Sequence, residues 1–121
     1  MLFSCGGVLR ALSLNTKQLS VYRPIPIRDY VTGVAFDAQT ETLLLSIKVL
    51  QGADAPWQLV SLRRNSRYPN EWQEVDRIST NYVLDIAVCD SHVLLGSGGR
   101  TLYVFNVSAD HTLHKEGIVM V

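Results

Sequence analysis

Residues 82–107 constrain the fold most, because they contain three short apolar runs with only turn-forming residues between them. The runs cover residues 83–88, 93–95 and 102–107, and the two separators are rich in Asp, Ser and Gly, which turns favour. Three strands joined by tight turns form an antiparallel meander. The last run alternates between two faces, and both faces are mostly apolar. A small sheet of this kind needs cover on both sides, as a blade has between its neighbours in a β-propeller.

The chain repeats itself at two spacings, which indicates a repeat architecture. Residues 1–14 and 94–107 share an apolar run, a serine, glycines and a second apolar run, at an offset of about 93 residues. Residues 30–37 resemble residues 82–89 position for position, at an offset of about 52 residues. Two units in about 93 residues give an average length close to the roughly 40 to 45 residues of a four-stranded propeller repeat.

We therefore predict an all-β fold of antiparallel four-stranded propeller blades that form an incomplete ring. No segment keeps apolar residues at helical spacing for long without meeting Gly, Pro or a β-branched run. The predicted domain is a single partial propeller over residues 1–121, with blade remnants at 1–29, 30–81 and 82–121. These remnants amount to about two and a half blades, whereas a closed propeller typically has about four to eight. The chain is then either an excerpt of a longer propeller or is completed by another copy or another protein.

Three segments resemble WD40-type β-propeller repeats. Residues 31–36 resemble the innermost strand of that family, residues 93–99 the second strand and residues 101–107 the third, where Phe105-Asn106 stands in place of the family's Trp-Asp pair. In the middle unit Val60-Ser61 takes that place, and the Gly-His pair that precedes the family's inner strands is missing. The resemblance implies a divergent member and a protein-interaction scaffold in the cytoplasm or nucleus. It also implies that Arg63 stands where some members carry an arginine that docks on the cullin-4 ligase adaptor.

The charge balance predicts no bulk attraction to nucleic acid or to anionic membranes, because 11 basic and 11 acidic residues cancel. Cys5 and Cys89 lack metal-binding spacing, so we predict two buried structural thiols in a reducing compartment. No run approaches the roughly 20 apolar residues of a membrane span. Residues 1–28 carry basic but no acidic side chains, as mitochondrial transit peptides do, yet their match to a later segment favours strands.

Catalysis and metal binding have no candidate residues, and we predict that the protein is not an enzyme and needs no cofactor. His92, His111 and His114 are expected on the surface, because no third ligand accompanies the close pair of His111 and His114. Residues 85–92 contain Asp, Ser and His, the residue types of a hydrolase triad, but a triad depends on a geometry that residue types do not establish.

Positive charge is concentrated in residues 63–68, which contain three arginines and a tyrosine. Guanidinium groups and aromatic rings in a propeller loop can bind an acidic peptide, a phosphate or a nucleic-acid backbone. The alternative is a solvated loop whose arginines face water. The predicted partner-binding residues are Trp57, Arg63, Arg64, Arg67, Tyr68 and Trp72.

We thus expect a non-enzymatic interaction scaffold, or a subunit of a multiprotein complex, that uses blade edges and loops. Its predicted partner is a protein, or a second copy that completes the propeller. The alternative function is nucleic-acid or phosphoinositide binding through the loop of residues 63–68.

Overall fold

The computed structural model of the 121-residue chain describes residues 2–5, 7–13, 15–21, 29–50, 55–68, 71–83, 85–97 and 100–120. Within these ranges the secondary structure is entirely β, with eleven strands. The strands are β1 (Leu2–Cys5), β2 (Val8–Leu12), β3 (Leu19–Val21), β4 (Asp29–Asp37), β5 (Thr42–Val49), β6 (Trp57–Arg64), β7 (Trp72–Ser79), β8 (Asp85–Cys89), β9 (His92–Gly96), β10 (Thr101–Val107) and β11 (Leu113–Met120). Residues 98 and 99, in the second of the two predicted separators, lie outside the described residues.

The strands form three antiparallel sheets in which spatial order follows chain order. The first sheet contains β1 to β3, the second β4 to β7 and the third β8 to β11. Within each sheet, every strand pairs with the next along the chain, which is the connection that short turns allow. The prediction of an all-β fold with four-stranded antiparallel sheets in an unclosed arrangement is confirmed.

Two hydrophobic cores hold the sheets together, one on each side of the second sheet. Successive side chains of β5 point to opposite faces of the second sheet, so Leu43 and Leu45 face the first sheet while Leu44 faces the third. Six consecutive residues of β5, 42–47, are buried, as expected for a strand covered on both faces. Full burial of one leucine stabilises the fold by about 1.5 to 3 kcal/mol, so these cores are the main source of stability.

Beside these cores, the first strands of neighbouring sheets lie next to each other. Strand β4 contacts both β1 and β8. Gly33 allows the close approach to β8, since a Cβ atom there would lie 2.7 Å from Cγ2 of Ile86. The amide of Val31 donates a hydrogen bond to the carbonyl of Gly7 at 2.9 Å, which joins β4 to the first sheet.

The prediction of two buried thiols is wrong for Cys89, whose side chain is exposed. Cys89 ends β8 and pairs with His92 across the hairpin. Because strand alternation turns it to the face opposite the core residues Ile86 and Val88, it lies away from the second sheet. The side chain of Cys5 lies outside the described residues.

Candidate functional site

The predicted arginine loop joins two paired strands. β6 ends at Arg64, and β7 begins at Trp72. Within the loop, the side-chain oxygen of Asn65 accepts hydrogen bonds from the amides of Arg67 (2.8 Å) and Tyr68 (3.2 Å), which is an Asx turn. The local sequence therefore fixes the backbone of residues 65–68.

Strand alternation separates the first two arginines, because Arg63 and Arg64 are adjacent in β6. The Arg64 guanidinium lies 4.6 Å from the centre of the Trp72 ring, on the side of the first core. Trp72 in turn contacts Phe36 edge-to-face at 6.1 Å. Arg63 points toward the side of the third sheet, and its Nη2 lies 3.5 Å from Oε1 of Gln73.

The remaining predicted residues are also divided. Arg67 and Tyr68 are exposed at the loop, with the guanidinium 5.7 Å from the ring centre. Trp57 begins β6, about 23 Å from Arg64 at about 3.3 Å per residue. There it packs against Tyr82 at 4.8 Å and Lys48 at 5.4 Å. The structure brings Arg64 to Trp72 and Arg67 to Tyr68, and it does not bring Trp57 to the loop.

A polar cluster between the second and third sheets was missed by the sequence reasoning. The Asp37 carboxylate is 2% exposed and accepts hydrogen bonds from the Thr40 hydroxyl and from the Ser91 hydroxyl at 3.0 Å. Thr40 Oγ1 lies 2.8 Å from Thr42 Oγ1, which lies 2.7 Å from Nδ1 of His111. We call Asp37, Thr40, Thr42 and His111 the hydroxyl relay. The signal that could have revealed it is the buried Thr42 in an otherwise apolar strand, because buried hydroxyls need partners.

The direction of the hydroxyl relay assigns the tautomer of His111. Ionised Asp37 only accepts, so Thr40 donates to it; Thr42 must then donate to Thr40. The Thr42 oxygen is thereby left to accept from His111, whose Nδ1 carries the hydrogen. His111 is therefore half-buried in its turn and held against the second sheet by this hydrogen bond.

Two further side chains of the second sheet hold the turn that carries His111. The Ser61 hydroxyl donates to the His111 carbonyl at 2.6 Å, and the Asp76 carboxylate accepts from the Leu113 amide at 2.8 Å. Within the turn, the hydroxyl and amide of Thr112 hold the pKa of the Asp110 carboxyl below its usual value. This part of the third sheet is therefore fixed to the second by side chains that need a defined geometry.

A buried ion pair lies on the opposite face of the second sheet. Arg77 donates to both oxygens of Asp29, at 2.7 and 3.3 Å, and to Oε1 of Gln58 at 3.0 Å. The Asp29 side chain is fully buried. Burial lowers the pKa of Arg77, but the hydrogen bonds and charges of Asp29 and Glu74 outweigh that effect and raise this pKa above its usual value.

The face of the third sheet that points away from the second has no cover among the described residues. Along β8 to β11, the residues of this face alternate with the residues that point into the second core. Leu94, Leu102 and Val104 are half-buried on this face, and Val119 is 47% exposed. A polar group lies beside them, in which Glu116 contacts Asn106 at 3.1 Å and His92 at 3.2 Å. The open face comprises Ala87, Cys89, His92, Leu94, Leu102, Val104, Asn106, Glu116 and Val119.

The second sheet shows what such a face normally contacts. The hairpin pair Asp37 and Thr42 corresponds to Cys89 and His92, so Leu94 occupies the position of Leu44. The same comparison matches Leu102 to Leu59. Leu44 and Leu59 are 0% exposed because the third sheet covers them. Leu94 and Leu102 are thus apolar side chains at positions that a following sheet covers elsewhere in the chain.

The first sheet has an uncovered face on its far side. Leu9 and Leu2 face the second sheet and belong to its core. Leu19 and Val21 point the other way and are 55% and 46% exposed, and Val21 pairs with Arg10. Among the described residues, one face of the first sheet and one face of the third are thus uncovered.

The candidates for chemistry are not assembled into a catalytic site. The Ser91 hydroxyl bonds to Asp37 and Gln39, while the Nδ1 atom of His92 contacts the carbonyl of Asp90. In the described ranges, Ser91 and His92 share no hydrogen bond, and no group of three or more metal-ligating side chains occurs. No helix in these ranges has the length and hydropathy to span a membrane.

Comparison with known proteins supports the fold. No model of a known protein family matches the sequence, and no curated protein matches it. The crystal structure of a protein from Lactobacillus plantarum superposes with a TM-score of 0.66 and 14% sequence identity. The match covers 94% of this chain and 33% of that one, so the chain spans about a third of the length of that structure. At this identity the likeness shows the fold, which is an open array of antiparallel, propeller-like sheets.

Proposed function

We propose that the chain is a non-enzymatic interaction scaffold that binds a protein partner through the open face of the third sheet. The observation that carries this proposal is the position of Leu94 and Leu102. Their counterparts Leu44 and Leu59 are completely buried by a neighbouring sheet, whereas Leu94 and Leu102 are only half-buried. An apolar face flanked by polar groups is typical of a protein contact.

The finer parts of the proposal rest on the sequence. The segments that resemble WD40-type repeats fall on β4, β9 and β10, which are strands of four-stranded sheets. We accordingly include in the proposal a divergent relation to that family and a place in a cytoplasmic or nuclear protein complex. The strand edge of β11, which carries Ile118 and Met120 at 53% and 73% exposure, is the alternative contact surface, and the control described below separates it from the open face.

Nucleic-acid or phosphoinositide binding by the arginine loop receives less support from the geometry. Such binding is strongest where several guanidinium groups converge on one phosphate chain. Arg63 and Arg64 lie on opposite faces of β6, and Arg64 stacks on Trp72. The loop therefore offers separate arginines and not a single cradle.

The test compares three variants of the full chain as affinity bait in a cell extract. Val119→Lys and Leu102→Lys place a charge on the open face, and we expect them to lose the proteins that the unmodified chain retains. Ile118→Lys is the matched control, because Ile118 is the adjacent residue of β11, is similarly exposed, and points to the other face. Circular dichroism establishes that each variant is folded.

Two results would contradict the proposal. In one, the unmodified chain retains no protein, including a differently tagged copy of itself. In the other, Ile118→Lys causes the same loss as Val119→Lys, which would assign the contact to the strand edge.

A further inference from the structure

We infer that the open face of the third sheet binds the uncovered face of the first sheet in a second copy of this chain. The inference rests on the proposed function, and it identifies the partner of that face. It follows from the type of faces that remain uncovered, from their charge and from the number of sheets.

The type of face is the first argument. The first sheet presents the face that carries Leu9 to the second sheet. The second sheet presents the face that carries Leu59 to the third sheet. Leu102 is the corresponding residue of the third sheet and has no following sheet. The uncovered face of the first sheet, with Leu19 and Val21, is the kind of face that a preceding sheet covers. A second copy placed head to tail supplies the missing neighbour of both.

The charge of the two ends favours this orientation over any other. On the faces themselves, Arg10 belongs to the first sheet and Glu116 to the third. First-to-third contacts join opposite charges, while first-to-first and third-to-third contacts would join like charges, which costs several kcal/mol.

The number of sheets allows such a contact to close. Two copies of the three described sheets give six sheets, within the range of about four to eight for propellers. A two-copy ring has two identical head-to-tail contacts, which cover both uncovered faces of the described sheets.

The experiment measures the mass of the full chain in solution by sedimentation velocity, over a concentration range of about 1 to 100 µM. We expect a reversible transition from the 13.5 kDa chain to a particle of twice that mass. Arg10→Glu and Glu116→Lys should each weaken this assembly about 10- to 100-fold, because each places like charges across the contact. An equimolar mixture of the two variants should restore it, since both contacts of the mixed ring again join opposite charges. Lys17→Glu is the matched control, with the same charge change in the exposed turn after β2, and it should leave the assembly unchanged.

The outcomes separate this inference from the proposed function. A monomer at every concentration overturns the inference. If that monomer retains another protein in a manner that Val119→Lys abolishes, the proposed function stands and the partner is different. If it retains nothing, both fall. Equal weakening by Lys17→Glu and Arg10→Glu, or no recovery in the mixture, also overturns the head-to-tail contact.

Discussion

Replacement of Thr42 by valine tests the hydroxyl relay, because it removes one oxygen and keeps the shape of the side chain. Thr42 is completely buried, donates to Thr40 and accepts from His111. Two neutral hydrogen bonds contribute about 1 kcal/mol each, and an imidazole N–H left without an acceptor costs about 1 to 3 kcal/mol. The methyl group that replaces the hydroxyl buries more apolar surface, which stabilises the fold by about 0.8 kcal/mol. We therefore expect Thr42→Val to lower the free energy of unfolding by about 2 to 4 kcal/mol.

The measurement is urea unfolding followed by circular dichroism, at one protein concentration for all variants, because assembly makes apparent stability concentration-dependent. Thr101→Val is the control for the same chemical change. Thr101 is half-buried, and its hydroxyl contacts only the Met120 sulfur at 3.7 Å among the described hydrogen bonds. It should cost less than about 0.5 kcal/mol. If the two variants lose the same stability with unchanged m-values, the relay contributes nothing and the account of the junction is wrong.

Three further predictions concern other parts of the molecule. Arg77→Leu should lower the free energy of unfolding in urea by about 3 to 5 kcal/mol, because it leaves the buried Asp29 carboxylate unpaired. Arg67→Leu in the exposed loop is the control and should change it by no more than about 0.5 kcal/mol. Equal losses in the two variants would refute the pairing of Arg77 with Asp29. Nitrogen NMR of His111 should show the neutral form protonated at Nδ1, and protonation at Nε2 alone would contradict the relay direction. The chain should not bind single-stranded DNA or phosphoinositide vesicles, and replacement of Arg63, Arg64 and Arg67 by Glu should leave its assembly intact. If the unmodified chain binds either ligand and this replacement abolishes that binding, the alternative function is restored.

The strands could be predicted because alternation and turn residues are local properties of the sequence. The run at 102–107 and β10 coincide within one residue, and the turn predicted at 89–92 contains the two-residue turn Asp90-Ser91. Both residues of that turn have positive φ angles, of 50° and 60°, as hairpin turns of this length require. The adjacent Cys89 was predicted wrongly because its exposure depends on whether another sheet covers its face, which local pattern does not contain.

The candidate site was less predictable because it depends on where strands end and how sheets meet. Residues 63–68 were predicted to lie in a loop, but β6 continues to Arg64 because the ladder with Gln73 and Trp72 extends it. That extension places Arg63 and Arg64 on opposite faces. The hydroxyl relay was beyond sequence reasoning for a similar reason, since Thr42 and His111 are 69 residues apart and meet only when two sheets pack.

The polar junction also explains why the open face should bind reversibly. At the position of Asp37 the third sheet has Cys89, and at the position of Thr42 it has His92. These residues cannot reproduce a carboxylate that accepts from two hydroxyls, so a sheet placed on the open face meets apolar side chains and isolated charges in place of a relay. Apolar area and surface charge give affinity that depends on concentration and salt, whereas a buried hydrogen-bond network fixes one arrangement. The second and third sheets are therefore joined by a specific geometry, and the contact that we propose beyond the third sheet is suited to exchange between a free and an assembled chain.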